Sequence, residues 1–122
     1  MINIKLPIIL IGGGNLLKYK TIEDAYSDLE AYDIELYSVY DSNCRKVKLY
    51  KKSEYNDVGF IIEDKTSLCE QLKHEIQKYG KEYDLTQFIS DDLDSLLMSI
   101  PYYKIVYIPI WMRIQKLWNT IF

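Results

Sequence analysis

The chain has 122 residues and a formal net charge of −3, a length that suits one domain with a sizeable hydrophobic core. Apolar residues make up 48% of the chain and charged residues 27%, which excludes a disordered polymer. The two cysteines, Cys44 and Cys69, belong to no CxxC or Cys/His cluster, so we expect neither a zinc site nor a disulfide-dependent fold. The N-terminus lacks the pattern of a signal peptide, and we expect a cytoplasmic protein.

The first part of the chain predicts a β-hairpin followed by an amphipathic helix. The hairpin consists of a strand over Leu6–Ile11, a glycine-rich turn over Gly12–Asn15 and a strand over Leu16–Lys20. Thr21 is then a good helix N-cap. The apolar residues that follow recur at helical spacing on a helix ending near Tyr32, and they predict a core-facing stripe made of Ile22, Ala25, Tyr26 and Leu29.

The middle of the chain predicts a three-stranded meander. Its strands cover Leu36–Tyr40, Arg45–Lys52 and Val58–Glu63, separated by turns at Asp41–Asn43 and Tyr55–Asp57. In the second of these strands the apolar side chains alternate with lysines, which is typical of a strand with one buried face.

The last part predicts helices. The first is capped by Thr66 and ends at Gly80, with an inner face made of Leu68, Cys69, Leu72, Ile76 and Tyr79. The second covers Leu85–Ser99, with Phe88, Ile89, Leu93, Leu96 and Leu97 directed inward. A strand or extended connection over Tyr102–Ile108 then leads to a helix that starts at Pro109 and presents Ile110, Ile114, Leu117, Trp118 and Ile121.

This order of elements predicts an α+β fold in a single domain over residues 1–122. We expect a mainly antiparallel sheet, built from a hairpin plus a three-stranded meander, with three to four packed helices. A doubly wound sheet is disfavoured because the meander strands are joined by turns rather than by helices. Two prolines and three basic residues interrupt the aromatic segment 99–122, so we reject a membrane span and disfavour surface contact with a membrane.

The sequence carries no recognisable catalytic constellation. His74 is the single histidine, and an exposed or half-buried helical position explains it better than a role as a catalytic base. The run Gly12-Gly13-Gly14 lacks the Lys-Ser/Thr of a phosphate-binding loop and leads into a strand, so a permissive turn explains it better. We therefore expect no enzymatic activity, no cofactor and no metal site.

The charges are strongly segregated along the chain. Residues 21–44 contain seven acids and no base, and residues 82–94 contain five acids and no base. Such acidic surfaces attract and hold basic partners. Several of these acids are explained by helix N-termini, but the acids at the end of the first helix are not, because the helix dipole disfavours them there. The sequence therefore predicts partner binding by Asp28, Glu30, Asp33 and Glu35, with Asp91, Asp92 and Asp94 as the second candidate set.

The basic counterpart of these runs lies on the central predicted strand. Five bases occur between residues 45 and 52, namely Arg45, Lys46, Lys48, Lys51 and Lys52. Direct binding of nucleic acid is disfavoured, because the chain is acidic overall and has no RNP-like motif. Lysines that protect an edge strand from aggregation explain the pattern better.

The stretch from Gly13 to Tyr50, GGNLLKYKTIEDAYSDLEAYDIELYSVYDSNCRKVKLY, resembles a family of small bacterial proteins. These have a Gly-then-DLLxF/Y strand, an S/TxEDAxxxLE helix and an xDVxxxEYxxYDxxGRxL hairpin. The residues that match are Gly14, Asn15, Leu16, Leu17, Tyr19, Thr21, Glu23, Asp24, Ala25, Leu29, Glu30, Asp33, Ile34, Tyr37, Tyr40, Asp41 and Arg45. The chain departs from the pattern at Cys44, where the family often has glycine, and after Tyr50.

The resemblance is to immunity proteins of polymorphic toxin and contact-dependent growth-inhibition systems. It implies a bacterial toxin inhibitor whose partner is a cognate secreted toxin domain, and the acidic runs favour a basic nuclease such as an RNase. The alternative is a non-catalytic adaptor or regulatory protein that binds a partner helix or a membrane surface through the segment containing Trp111 and Trp118. An enzyme of unrecognised type is the third reading.

Overall fold

The computed structural model describes residues 2–54 and 57–104. The predicted turn at Tyr55–Asp57 falls partly outside this range, and the predicted C-terminal helix from Pro109 falls outside it entirely. Among the described residues, no helix combines the length and the apolar character needed to cross a membrane.

Five strands form one antiparallel sheet in the order β2-β1-β3-β4-β5. The strands are β1 (Ile8–Gly12), β2 (Asn15–Tyr19), β3 (Tyr37–Tyr40), β4 (Lys46–Lys51) and β5 (Val58–Ile61). The predicted α+β fold is thus confirmed, with its hairpin and its meander. The pairing of β1 with β3, which joins the hairpin and the meander into one sheet, was not predicted, because local patterns do not specify long-range strand partners.

Helices cover both faces of the sheet. They are α1 (Ile22–Asp28), α2 (Cys69–Glu82) and α3 (Leu93–Ser99), with short 3₁₀ turns at Ala31–Asp33 and Thr86–Phe88. Because side chains alternate along a strand, Ile8 and Leu10 enter a core that contains Ala25 of α1 and Leu29, the residue that follows α1. Ile9 enters a second core with Leu72 and Ile76 of α2 and Leu96 of α3.

The first helix is shorter than predicted. It begins after Thr21, whose hydroxyl accepts a hydrogen bond from the Asp24 N–H at 3.1 Å, as the N-cap prediction required. It ends at Asp28, and a separate 3₁₀ turn covers Ala31–Asp33. Ala25 and Leu29 are buried as predicted, and Ile22 is partly buried, but Tyr26 is 40% exposed and packs edge-on against Phe60.

Two later helix boundaries also differ from the prediction. The N-cap of α2 is Leu68 rather than Thr66, and Gly80 is a buried residue within the helix rather than its end. A Cβ at Gly80 would lie 2.7 Å from the Phe88 Cβ, so glycine there permits close packing of the next turn. The helix predicted over Leu85–Ser99 is divided into a 3₁₀ turn and α3, and Ile89, predicted to face inward, is 52% exposed.

Lys18 is the largest departure from the alternating pattern of β2. Leu17 and Tyr19 alternate with Lys18 and Lys20, a pattern that places the lysines in solvent. Lys18 is nevertheless only 7% exposed, and its Nζ donates to the Leu97 carbonyl at 2.8 Å. Residues 101–103 lie beside β2 through hydrogen bonds from the Lys18 N–H to the Pro101 carbonyl and from the Tyr103 N–H to the Lys18 carbonyl. This segment covers part of the β2 edge, and burial lowers the pKa of Lys18.

Candidate protein-binding site

The first predicted acidic set lies where the chain leaves α1 and returns to β3. Asp28 ends α1 and is exposed, and Glu30 and Glu35 are exposed on either side of the 3₁₀ turn. The predicted contact of Asp33 with a partner assumes a solvated side chain, and this is wrong, because Asp33 is only 9% exposed. The four acids therefore follow one another over residues 28–35, and three of them are exposed to a partner.

Asp33 stabilises the backbone of the 3₁₀ turn in which it lies. Its Oδ2 accepts a hydrogen bond from the Glu30 N–H at 2.8 Å, and the two residues form a capping box on the 3₁₀ turn. Acids at the start of a helical turn are favourable. Contrary to the prediction, Glu30 and Asp33 do not oppose the dipole of the first helix, because α1 ends before them.

Beside these acids the surface forms a concavity of about 300 Å³ between α1, β2 and the segment at residue 103. We call it the tyrosine pocket, and it is lined by Leu10, Asn15, Leu17, Tyr19, Asp28, Leu29, Tyr32, Asp33, Tyr37 and Tyr103. Its described lining thus combines four tyrosine rings with two carboxylates and contains no Lys, Arg or His. Sequence analysis missed the tyrosines because they come from separate elements.

A hydrogen bond between Tyr19 and Asp28 links the floor of the pocket to its rim. The Tyr19 hydroxyl donates to Asp28 Oδ2 at 2.5 Å, although Tyr19 is almost fully buried and Asp28 is exposed. Burial and this bond to a carboxylate raise the pKa of Tyr19. The phenol therefore stays protonated and holds the carboxylate at the mouth of the pocket.

The electrostatic environment of the pocket is negative. Tyr32 is 69% exposed at the rim, and the charges of Glu30 and Asp33 raise its pKa. The ion pairs within residues 2–54 and 57–104 join Arg45 to Asp41, Lys48 to Glu63, and Lys73 to Glu70 and Asp91. None of these cations neutralises the acids around the pocket.

The second candidate acidic set lies on the other side of the sheet, and the structure does not bring the two sets together. Asp91 pairs with Lys73 at 3.3 Å. Asp92 is the N-cap residue of α3 and accepts a hydrogen bond from the Ser95 hydroxyl at 2.7 Å, which lowers its pKa. Asp94 is exposed in the first turn of α3. Positions at the start of α3 and the ion pair with Lys73 therefore explain most of these acids without a partner.

The basic strand has internal partners, and its predicted position at an edge is wrong. β4 lies between β3 and β5. Lys46 Nζ lies 4.6 Å from the centre of the Tyr40 ring, Lys52 Nζ lies 5.2 Å from the Tyr26 ring, and Lys48 pairs with Glu63 at 3.2 Å. These contacts explain three of the lysines without an exposed strand edge to protect.

The motif Asp41-Ser-Asn-Cys-Arg45 is a structural turn. The Asp41 carboxylate is fully buried and accepts hydrogen bonds from the backbone N–H groups of Lys5, Asn43 and Arg45 and from the Arg45 guanidinium. Burial alone would raise the pKa of Asp41, but these hydrogen bonds lower it overall. Cys44 has a left-handed backbone with φ 61°, a conformation that favours glycine.

The remaining chemical candidates have ordinary placements. His74 is exposed on α2. Gly12 has a φ of 143°, and a Cβ there would lie 2.2 Å from the Leu36 carbonyl oxygen. Any larger residue would clash, so packing of the backbone explains the first glycine of the turn. Within the described ranges, no three His, Cys, Asp or Glu side chains converge as metal ligands. The absence of activity, cofactor and metal stays a prediction.

Comparisons with protein-family models, curated proteins and solved structures found no match. The Trp111/Trp118 segment, on which the adaptor reading depends, lies outside the described residues.

Proposed function

We propose that this chain is an immunity protein that binds a cognate secreted bacterial toxin in the cytoplasm and inhibits it by covering its active site. The observation that carries the proposal is the exposed acidic and aromatic surface around the tyrosine pocket. Its carboxylates have no described cationic partner, although other charges of the chain are paired internally.

A nuclease of the RNase type is the partner that this surface suits best. Nucleases are basic where they hold the phosphate backbone, and an acidic surface can occupy that groove in place of the substrate. Aromatic residues are enriched at protein interfaces, where tyrosine supplies apolar area together with a polar hydroxyl. Electrostatic complementarity would also speed association with the toxin.

The turn at Cys44 gives the resemblance some support. The resemblance leads us to expect glycine at this position, and the left-handed backbone there is one that glycine adopts without strain. The Asp and Arg of the same motif hold the turn together through hydrogen bonds of 2.6 and 2.9 Å. The pattern is therefore compatible with a shared structural turn and does not itself identify a partner.

Immunity genes lie directly downstream of the gene for their toxin, so a binding titration against the domain encoded directly upstream of this chain tests the proposal. The variant Asp28→Asn/Glu35→Lys neutralises one exposed acid and reverses the charge of the other, and it keeps an acceptor for the Tyr19 hydroxyl. We expect it to bind at least tenfold more weakly, or by about 1.4 kcal/mol, and to lose protection of cells. Asp33 is left intact because its carboxylate caps the 3₁₀ turn.

The control variant Asp91→Asn/Asp94→Lys makes the same change in charge on the second acidic set and should bind like the parent chain. If the control loses binding while Asp28→Asn/Glu35→Lys does not, the interface lies at α3. If the parent chain itself fails to bind the neighbouring toxin and to protect cells, the immunity function is wrong.

A further inference from the structure

We infer that the tyrosine pocket receives a single arginine side chain of the partner, an inference that rests on the proposed function. The concavity of about 300 Å³ lies at the lower end of the range for ligand pockets. The Asp28 carboxylate accepts a hydrogen bond from Tyr19, and the rings of Tyr37 and Tyr103 line the same concavity. A cation that inserts there meets a charge and several aromatic groups at once.

The carboxylate at the mouth retains capacity for a new donor. An ionised carboxylate offers about four acceptor positions, and the Tyr19 hydroxyl uses one of those on Asp28. Because the Tyr19 bond fixes Asp28 Oδ2, an incoming cation would find this group already oriented. Glu30 and Asp33 add to the negative environment, as the raised pKa of Tyr32 indicates.

Elsewhere in the chain, cations already use tyrosine faces. The Lys18 Nζ lies 4.4 Å from the centre of the Tyr102 ring, and Lys46 and Lys52 make similar cation–π contacts with Tyr40 and Tyr26. All three rings lie outside the described lining of the tyrosine pocket. The pocket therefore offers tyrosine rings and carboxylates that no described lysine or arginine occupies, which makes it complementary to a cation from another molecule.

A guanidinium fits this lining better than an ammonium. Arginine presents five N–H donors in a plane and stacks on aromatic rings, whereas the compact lysine ammonium is strongly hydrated. The chain itself shows the carboxylate half of this recognition, because the Arg45 guanidinium donates to Asp41 through both Nε and Nη2. Arginine is also among the residues that dominate binding energy at protein interfaces.

The test is an NMR titration of the full chain with Nα-acetyl-arginine amide, without any toxin. We expect saturable shifts at the pocket residues Asp28, Tyr32 and Tyr37. The uncharged isostere Nα-acetyl-citrulline amide and the ammonium analogue Nα-acetyl-lysine amide should each bind at least fivefold more weakly. Equal binding of citrulline would remove the role of charge, and equal binding of lysine would remove the preference for a guanidinium; either result overturns the inference.

Matched variants locate the site. Asp28→Asn should weaken arginine-amide binding at least fivefold, whereas Asp91→Asn, the same change on the other side of the sheet, should leave it unchanged. Shifts that avoid the pocket, or parent-like binding by Asp28→Asn, would overturn the inference. Toxin binding without an arginine response would remove the pocket inference alone, and an arginine response without toxin binding would remove the proposed function alone.

Discussion

Two carboxylates from the same acidic run, Asp41 and Asp28, have opposite environments. Asp41 is fully buried, and its oxygens accept hydrogen bonds from three backbone N–H groups and from Arg45. Asp28 is exposed, and its described hydrogen bond comes from a tyrosine that anchors it at the mouth of a pocket. A carboxylate whose hydrogen bonds and charge are satisfied within the fold thus contributes to stability. A carboxylate that is held in place by a hydrogen bond but pairs with no described cation is available to a partner.

The largest effect that this comparison predicts is on stability at Asp41. Asp41→Ala should lower the free energy of unfolding by about 3–5 kcal/mol, because it leaves the Arg45 guanidinium and several backbone donors without their acceptor. Urea unfolding followed by circular dichroism measures the change. By comparison, Asp28→Asn should stay within about 1 kcal/mol of the parent chain, since the side chain is exposed and the amide oxygen still accepts the bond from the Tyr19 hydroxyl. Equal losses at the two positions would contradict the division of roles.

The same contrast predicts how stability depends on pH. The pKa of folded Asp41 is lowered, so its contribution is fully present above the ordinary aspartate value of about 3.9 and is lost as the pH falls through the lower folded value. Unfolding measured between about pH 5 and 2 should therefore show a steeper loss of stability in the parent chain than in Asp41→Asn. Parallel curves for the two proteins would mean that the Asp41 carboxylate gains nothing from its hydrogen bonds.

A smaller effect separates two acids of the predicted binding set. Asp33→Lys should cost about 1 kcal/mol, because it removes the cap on the 3₁₀ turn. Glu35→Lys should change stability by less than about 0.5 kcal/mol, because Glu35 is exposed. Thermal unfolding of the two variants measures the difference. If Glu35→Lys were the less stable of the two, the structural role assigned to Asp33 and the solvent-exposed role assigned to Glu35 would be wrong.

Local patterns predicted much of the fold. Strand alternation at Val47 and Leu49 and the Thr21 cap depend on neighbours in sequence, and the structure confirms them. The burial of Lys18 and the pairing of β1 with β3 depend on segments far along the chain, so no local pattern reveals them. At the candidate site, the sequence identified the acidic residues but not the four tyrosines beside them, because folding brings these rings together from different elements.

In the proposed complex, the partner covers the α1 side of the molecule, at the tyrosine pocket. Hydroxyl-radical footprinting of the complex with the neighbouring toxin domain tests it directly, because tyrosine side chains report their own exposure. Tyr32 is 69% exposed at the rim of the pocket, and Tyr83, just after α2, is 45% exposed. We predict that toxin binding protects Tyr32 from modification and leaves Tyr83 unchanged; protection of Tyr83 with Tyr32 still reactive would contradict the account.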